Sequence, residues 1–529
     1  MASQGRQVAR AAVLIMAATL VARLLGYVRD VVIYTKFGQN YVTDAFNAAF
    51  SIPDFIYMLL VGGALSSAFI PVFSSYLATG RREEGWRTAS ILLNLIGILM
   101  LALIVVAYIY TRPLILLLVP KLPPQSIDLA VSLTRIMFVQ TIFMALNGLT
   151  MGILNSHQRF AAPALGGIFY NLGIITLGLL LSSRLGITAF SLGVVLGAAL
   201  SFLVQVPSLV RVRPQYTLSL DLRDAGLREV MVLMLPVLIG LSVGQFNLFV
   251  SQNLASGLGS GAISALKLSQ RIMQLPIGIF AVSIAIAVFP TLTSLAARQE
   301  MTDFKNTVSR GLRAVFFITL PSALGLMALR EPLIGLLFQQ GNFTASHTIT
   351  TATALFYYCI GLFAYSALQV LNRAFYAVKD TVTPVVVGVL TVALNIYLSI
   401  HLSGTLGYRG LALAYSLSGV FNMLVLLLWL RRRVGAIGGW KITSSFFISL
   451  GTSLVMYVAA RGAALHLLQI LVVPTKAAQL IAVLVGTTVG VVLYGGMALV
   501  LKMEEAELIM RLARNHIPGL KALRRIRYN

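Results

Sequence analysis

The sequence predicts an all-α polytopic membrane protein of about fourteen transmembrane helices, two parallel six-helix lobes followed by two C-terminal helices. Three observations carry that prediction. A chain of 529 residues that is 58% hydrophobic and only 11% charged has more apolar surface than a water-soluble core takes in. Apolar runs of about 20 residues, the length a helix needs to cross a bilayer, recur from one end to the other. Lys and Arg gather in alternate short connections between those runs. The formal net charge of +24 suggests nucleic acid at first sight, but no basic face of a soluble fold accompanies it, so no nucleic-acid partner is expected.

The first six spans fall near Ala11–Tyr34, Thr43–Tyr76, Thr88–Tyr110, Leu129–Leu154, Ala162–Leu181 and Ile187–Val210. The next six fall near Val230–Ala255, Ala262–Ala296, Val308–Leu329, Thr348–Ala377, Val382–Leu402 and Gly410–Leu430, with two more near Ser444–Ala464 and Ala477–Leu501. Arg6 and Arg10 before an apolar run imitate a signal peptide, yet Arg23 interrupts that run and many spans follow, so it reads as an uncleaved first helix. One set of connections carries Arg81, Arg82 and Arg87, then Arg211, Arg213, Arg223 and Arg228, then Arg431, Arg432 and Arg433; the alternate set is poor in such residues. The positive-inside rule places the rich set, and with it both termini, in the cytoplasm. After the last span, basic residues such as Arg511, Arg514 and Arg524 alternate with Leu512, Leu520 and Leu523, a pattern that suits either an interfacial segment held by anionic membrane lipids or a solvated tail.

An internal repeat organises the spans. Pro71 and Pro113 are spaced as Pro290 and Pro332 are, and each second proline opens a short apolar stretch, Leu114–Val119 or Leu333–Phe338. Pro163 and Pro384 then open the following span in each copy. A unit of six helices returns the chain to the same side, so both copies share one orientation and substrate sites lie between them. The expected organisation is an N-terminal lobe over 1–214, a C-terminal lobe over 215–435, two additional helices over 436–502 and a basic cytoplasmic tail over 503–529.

A charge in mid-bilayer costs about 2.5–3.5 kcal/mol by insertion scales, so intramembrane charges mark hydrated cavities or partners. Arg23 and Asp30 share a face of the first span, and Arg29 projects about a third of a turn away. Asp44, Asn47, Ser51 and Asp54 form a stripe on the second span; Lys267, Gln270, Arg271 and Gln274 do so on the eighth, and Ser242, Gln245 and Gln252 on the seventh. Arg23, Arg29, Lys267 and Arg271 outweigh Asp30, Asp44 and Asp54, which favours an anionic substrate; the planar guanidinium fork matches phosphate oxygens, so a pyrophosphate is a natural ligand. The predicted substrate-binding residues are Arg23, Arg29, Asp30, Asp44 and Arg271, with Asp54, Lys267, Gln270 and Gln274 as further cavity lining. The same residues suit structural uses: Arg29 and Asp30 an ion pair with neighbours, Asp44 a helix cap, Asp54 the accommodation of a break beside Pro53. Pro53, Gly62, Gly63, Pro276 and Gly278 permit bends within long helices. Cys359 is the single cysteine and the five histidines are scattered, so no metal site, cofactor or catalytic constellation is expected.

The segments ARLLGYVRD (Ala22–Asp30), TDAFNAAFSIPDF (Thr43–Phe55), GALSSAFIPVF (Gly63–Phe73) and the run from Ile263 to Pro290 together resemble the MurJ (MviN) family of lipid II flippases, within the multidrug/oligosaccharidyl-lipid/polysaccharide exporter superfamily. The resemblance runs from the first span through the twelfth, and the two further spans fit it. It implies movement of the undecaprenyl-diphosphate-linked peptidoglycan precursor from the inner to the outer leaflet of the bacterial cytoplasmic membrane. It also implies a cationic central cavity between two lobes, a lipid-tail groove built by the last two helices, and contact with cell-wall synthesis machinery. By motif, Arg23, Arg29 and Asp30 match the family's first-helix charges, Asp44 its second-helix acid and Arg271 its eighth-helix arginine. The chain departs where relatives carry second-helix arginines and a glutamate and it has Tyr57, Met58 and Gly62. Relatives that bind sodium use acids where this chain offers Asn247, Gln252, Asn253, Asn395 and Ser399, so membrane potential or another ion gradient is left to drive transport. A drug exporter of the superfamily is the alternative, disfavoured by the central arginines. A polyprenyl-phosphate membrane enzyme lacks the loop acids its chemistry needs.

Overall fold

Long apolar segments have one way to satisfy their backbone in lipid without closing a barrel, and that is helix. In the computed structural model, which describes residues 2–62, 68–471 and 475–507, the described residues form helices and turns with no strand. The chain divides into two compact units, Met1–Ser264 with Gln340–Thr344, and Ala265–Gln339 with Ala345–Asn529.

The first unit contains α1 (Ala2–Phe37), α2 (Tyr41–Ala49), α3 (Ser51–Tyr57), a π-helical turn at Met58–Gly62, α4 (Ile70–Ala78), α5 (Arg82–Ile109) and α6 (Thr111–Leu118). It continues with α7 (Pro124–Ser156), α8 (Ala161–Leu185), α9 (Thr188–Leu203), α10 (Val206–Arg211) and α11 (Ala225–Ala255). The second holds most of α12 (Ala262–Pro276), a π-helical turn at Ile277–Ala281, α13 (Val282–Ala297), α14 (Met301–Ala328) and α15 (Arg330–Phe338). After these come α16 (Ala345–Cys359), α17 (Leu362–Ala377), α18 (Val382–Leu406), α19 (Tyr408–Val434), α20 (Gly439–Ile470) and α21 (Lys476–Val500).

Among the described residues 11 helices are long and apolar enough to cross a membrane, or up to 12 with the bent pair α16 and α17 taken as one span. The lengths of α1 (36 residues) and α11 (31 residues) make the inventory compatible with fourteen spans. The expected second span, Thr43–Tyr76, is not one continuous helix: α2, α3 and a π-helical turn succeed one another before α4. Proline explains the interruption. Pro53 lacks the N–H that would bond one turn back, and the ladder resets with wider turns a few residues on; Pro276 stands immediately before the second π-helical turn.

The repeat is written in the backbone. The short helices α6 and α15 occur at the matched prolines Pro113 and Pro332. Gly186 (φ 57°, ψ −140°) ends α8 as Gly407 (φ 58°, ψ −138°) ends α18, a conformation that strongly favours a residue without Cβ. Even non-glycine residues repeat it: Gln158 (φ 58°) and Lys379 (φ 59°) each sit five positions before the matched prolines Pro163 and Pro384.

Packing in the first unit centres on Ile33, Phe46, Leu133, Met137, Ile174 and Phe190, drawn from α1, α2, α7, α8 and α9. Helices α8 and α9 approach so closely that a Cβ on Gly173 would lie 2.6 Å from the Cα of Gly197, the small-residue packing that lipid-embedded helices use. In the second unit α20 and α21 pack on α14 through Phe317, Leu324, Met456 and Tyr494. Helix α11 belongs to the first compact unit, where it packs on α4, α5 and α6. Of the expected basic tail, residues 508–529 lie outside the described residues; its opening is acidic, with Glu504 and Glu505 both taken up by Arg313 of α14.

Candidate functional site

Arg29 and Asp30 are consecutive on α1, and their side chains curl together: Arg29 Nη2 and Nε donate to Asp30 Oδ1 at 2.8 and 3.0 Å. Asp30 is buried and Arg29 half-buried, so the pair lowers the cost of holding both charges inside an apolar helix. Arg23, two turns earlier, is exposed and makes no ion pair among the described residues. Beside it, Asn171 of α8 donates to the carbonyl of Ala22 at 3.2 Å, which fixes that stretch of α1.

Asp44 is placed otherwise than the stripe suggested. It is 0% exposed, and both carboxylate oxygens are engaged by protein donors: Gly261 N to Oδ2 at 2.7 Å, Ser264 N and Oγ to Oδ1 at 2.8 and 2.7 Å. Its own helix is capped by Asn40, which accepts from the Val42 and Thr43 amides. Asp44 therefore caps the opening turn of α12, satisfying amides that a helix start leaves orphaned and placing negative charge at the positive end of the dipole. Around it Asn47 donates to Tyr34 Oη (3.1 Å) and Ser264 Oγ (3.0 Å), and Gln39 donates to the Gly261 carbonyl (2.9 Å). Further along, Ser51 donates to Gln252 of α11 at 2.7 Å, and Gln245 donates to Met58 Sδ at 3.0 Å. Most of the second- and seventh-span stripes thus form a polar seam between helices. Asp54 alone of the four stripe residues on α2 and α3 is exposed, within 3.4 Å of Gln140 Nε2.

On α12 the expected face is more open. Lys267 and Gln274 are exposed and Arg271 is half-buried, while Gln270 lies beside the phenol of Tyr415. Tyr415 belongs to a cluster that no sequence pattern announces: Tyr365 stacks on it with centroids 4.4 Å apart and Tyr358 meets it edge-on at 5.4 Å. These rings come from α16, α17 and α19, and only their phenol tips in apolar helices hint at them. The second unit also has an open apolar groove of about 620 Å³ between α14, α20 and α21, lined by Phe317, Pro321, Met456, Gly486, Gly490 and Tyr494.

What this arrangement offers chemically is cation and apolar surface rather than a reactive centre. Arg23, Lys267 and Arg271 present donors on membrane helices of both repeats, the equipment for holding a phosphorylated headgroup by charge-assisted hydrogen bonds. The sequence profile described as "Lipid II flippase MurJ" matches residues 33–498. The chain belongs to the MurJ lipid II flippase family. A lipid II flippase MurJ of Burkholderia cenocepacia is 32% identical over 466 residues, covering 84% of this chain and 88% of that protein. A solved lipid II flippase MurJ in an inward closed conformation superposes with a TM-score of 0.78 at 28% identity, over 92% of this chain and 99% of that one. A multidrug resistance MATE family transporter in an inward-facing conformation superposes at 0.66 and 16% identity, over 80% and 98%, which shows a shared fold alone. The MurJ profile takes in Asp44 and Arg271, whereas Arg23, Arg29 and Asp30 precede the matched residues.

Proposed function

We propose that this protein moves lipid II, the undecaprenyl-diphosphate-linked peptidoglycan precursor, from the inner to the outer leaflet of the bacterial cytoplasmic membrane by alternating access. The observation that carries the reading is the set of exposed or half-buried cations on apolar helices, Arg23, Lys267 and Arg271, within a chain of the MurJ family. Such groups are costly in lipid and mark substrate pathways by default. In this reading Arg23, Lys267 and Arg271, with the Arg29–Asp30 pair, hold the diphosphate and sugar headgroup. The apolar groove beside α20 and α21 receives part of the prenyl chain, whose burial contributes about 0.8 kcal/mol per CH₂.

The protein acts as a transporter and forms or breaks no covalent bond. Its arginine-rich connections lie in the cytoplasm, two six-helix lobes over 1–214 and 215–435 form the transport body, and membrane potential or an ion gradient supplies the energy without a cofactor. Cell-wall synthesis enzymes that consume the flipped precursor are its natural neighbours. The exporter alternative is not favoured, since its resemblance is one of fold.

The test is replacement of the native flippase in a bacterium by this chain, followed by measurement of labelled lipid II reaching the outer leaflet. Arg23→Ala and Arg271→Ala, at equal protein level, are expected to lower that flux by about tenfold or more, the equivalent of one charge-assisted contact of about 1.4 kcal/mol or greater. Undiminished flux in both variants removes these arginines from the site.

A further inference from the structure

The connection between α10 and α11 is neither helix nor free loop. Residues 213–221 form neither helix nor strand and lie along the first turns of α5, where Arg82, Arg87, Thr88, Ser90 and Asn94 bond to the connection. Ser90 Oγ accepts from Thr217 N at 3.1 Å, Asn94 Nδ2 donates to the Thr217 and Ser219 carbonyls at 3.3 and 2.9 Å, and Tyr216 Oη donates to Asn94 Oδ1 at 2.6 Å. Arg82 donates to the Val212 carbonyl at 2.6 Å, Arg87 pairs with Asp221 at 2.9 Å, and Thr88 donates to Asp224 at 2.8 Å. Asp224 in turn caps α11 through Leu227 N. The strap therefore fixes where α11 begins.

Its other face is bare. The sequence alternates, and the alternation leaves Leu218, Leu220 and Leu222 exposed at 88%, 51% and 66% while Ser219 and Asp221 are half-buried. Three leucines in a row at period two cannot be left in water without cost, and burying them removes it. The helices that flank the strap in sequence or hold it expose apolar side chains too, Ile98, Leu101 and Val105 on α5 and Val232 and Leu235 on α11. Arg211, Arg213, Arg223 and Arg228, all exposed, flank the leucines at the two ends of the strap. Apolar side chains bracketed by arginine at the level where membrane helices begin are the composition of a segment seated in a headgroup layer.

We propose that residues 216–222 form a lipid-anchored strap, in which Leu218, Leu220 and Leu222 enter the acyl boundary of an anionic leaflet and the flanking arginines bind its phospholipid headgroups. The leaflet then holds one face of the strap and α5 the other, so the start of α11 is tied to the bilayer surface as well as to its own unit. This rests on the membrane location of the chain and not on which lipid it transports.

Cys359 is the chain's single cysteine and is buried, so introduced cysteines report alone, with the unaltered full-length protein as the unlabelled control. Thr217→Cys, Leu218→Cys, Ser219→Cys, Leu220→Cys and Leu222→Cys are labelled with a nitroxide in nanodiscs of phosphatidylethanolamine and phosphatidylglycerol. Expected is a two-residue alternation: labels at 218, 220 and 222 broadened by oxygen over a water-soluble nickel chelate, with the ratio reversed at 217 and 219. Replacing phosphatidylglycerol by phosphatidylcholine is expected to shrink that contrast. Five labels equally open to nickel place the strap in water and overturn the proposal. Leucine positions closed to both reagents mean a protein covers them, which overturns it equally. A contrast unchanged in phosphatidylcholine overturns the part assigned to the arginines.

Discussion

The two repeats share a skeleton and differ in what they hang on it. Matched prolines give the short helices α6 and α15, matched positive-φ residues turn the chain before α8 and α18, and Gly186 and Gly407 end those helices with nearly identical angles. The polar residues follow no such correspondence. In the first repeat they are largely consumed: Asp44 caps α12, Asn47 and Ser51 bond across a seam, and Arg29 and Asp30 satisfy each other. In the second, Lys267 and Gln274 stay exposed and a stack of tyrosines lies beside Gln270, one position from Arg271. Backbone breaks persist because a helix of fixed length must turn at fixed places, whereas side-chain chemistry at those places is free to diverge. The lesson is a division of labour, with an anchoring half and a more open cationic half.

The sharpest way to break that contrast is to remove the acid on one side and the amine on the other. Asp44→Ala strands two buried amides and a hydroxyl, at a cost of about 3 kcal/mol or more. Thermal unfolding of the purified protein in detergent is expected to shift far down, with folded yield reduced. Lys267→Ala removes an exposed amine, where a surface ion pair contributes no more than about 1 kcal/mol, and is expected to lower lipid II flux. An Asp44→Ala protein as stable as its parent but inactive in flux makes Asp44 a ligand group and erases the division.

Much of the skeleton was legible from residues alone, because proline and glycine act on their own backbone. Pro71 and Pro113 against Pro290 and Pro332 announced the repeat, and the apolar runs announced the helices. The polar stripes were legible as stripes but not as seams. Steps of three and four put Asp44, Asn47, Ser51 and Asp54 on one face whether that face meets water or another helix, and periodicity does not tell the two apart. Asp44 finds its donors more than 200 positions away, and Tyr365 meets Tyr415 across 50, so no local pattern contains either. The fastening of the connection before α11 was likewise hidden, since a stretch rich in Arg and Pro reads as a free linker even where hydrogen bonds tie it to α5.

A second difference between the repeats lies in one helix. Where the first has α7 continuous over 33 residues, the second has α16 and α17 bent by 44°. Gly361 stands at the bend with room for nothing more, since a Cβ there would lie 2.6 Å from the Cα of Ser416. Ser416 Oγ donates to the Tyr357 and Tyr358 carbonyls at the bend, at 2.6 and 3.0 Å. Gly361→Ala is expected to destabilise by about 1–3 kcal/mol through overpacking, and Ser416→Ala by about 1 kcal/mol through lost hydrogen bonds. Chemical unfolding followed by tryptophan fluorescence measures both. A neutral Gly361→Ala means that α19 does not enforce the bend.

The smallest expected effect concerns the turns that precede α8 and α18. In the second repeat Asp380 follows Lys379 and caps α18: the Thr383 amide and hydroxyl donate to it at 3.0 and 2.8 Å, and Arg433 pairs with it. In the first, Arg159 follows Gln158 in the equivalent place and no side chain caps α8. Burial pushes the Asp380 carboxyl up, but Thr383 and Arg433 outweigh it and hold the group below its ordinary value. A carboxyl depressed in the folded state stabilises fully above its unfolded pKa, about 3.9, and loses that contribution as pH falls through the lower folded value. Asp380→Asn is therefore expected to lower the unfolding midpoint by a few degrees at neutral pH, with the gap from the parent closing below about pH 4. Arg159→Gln, on the matched turn of the other repeat, is expected to leave a pH profile parallel to the parent's. A gap that persists undiminished at pH 3 means that Asp380 acts through packing and not through its charge.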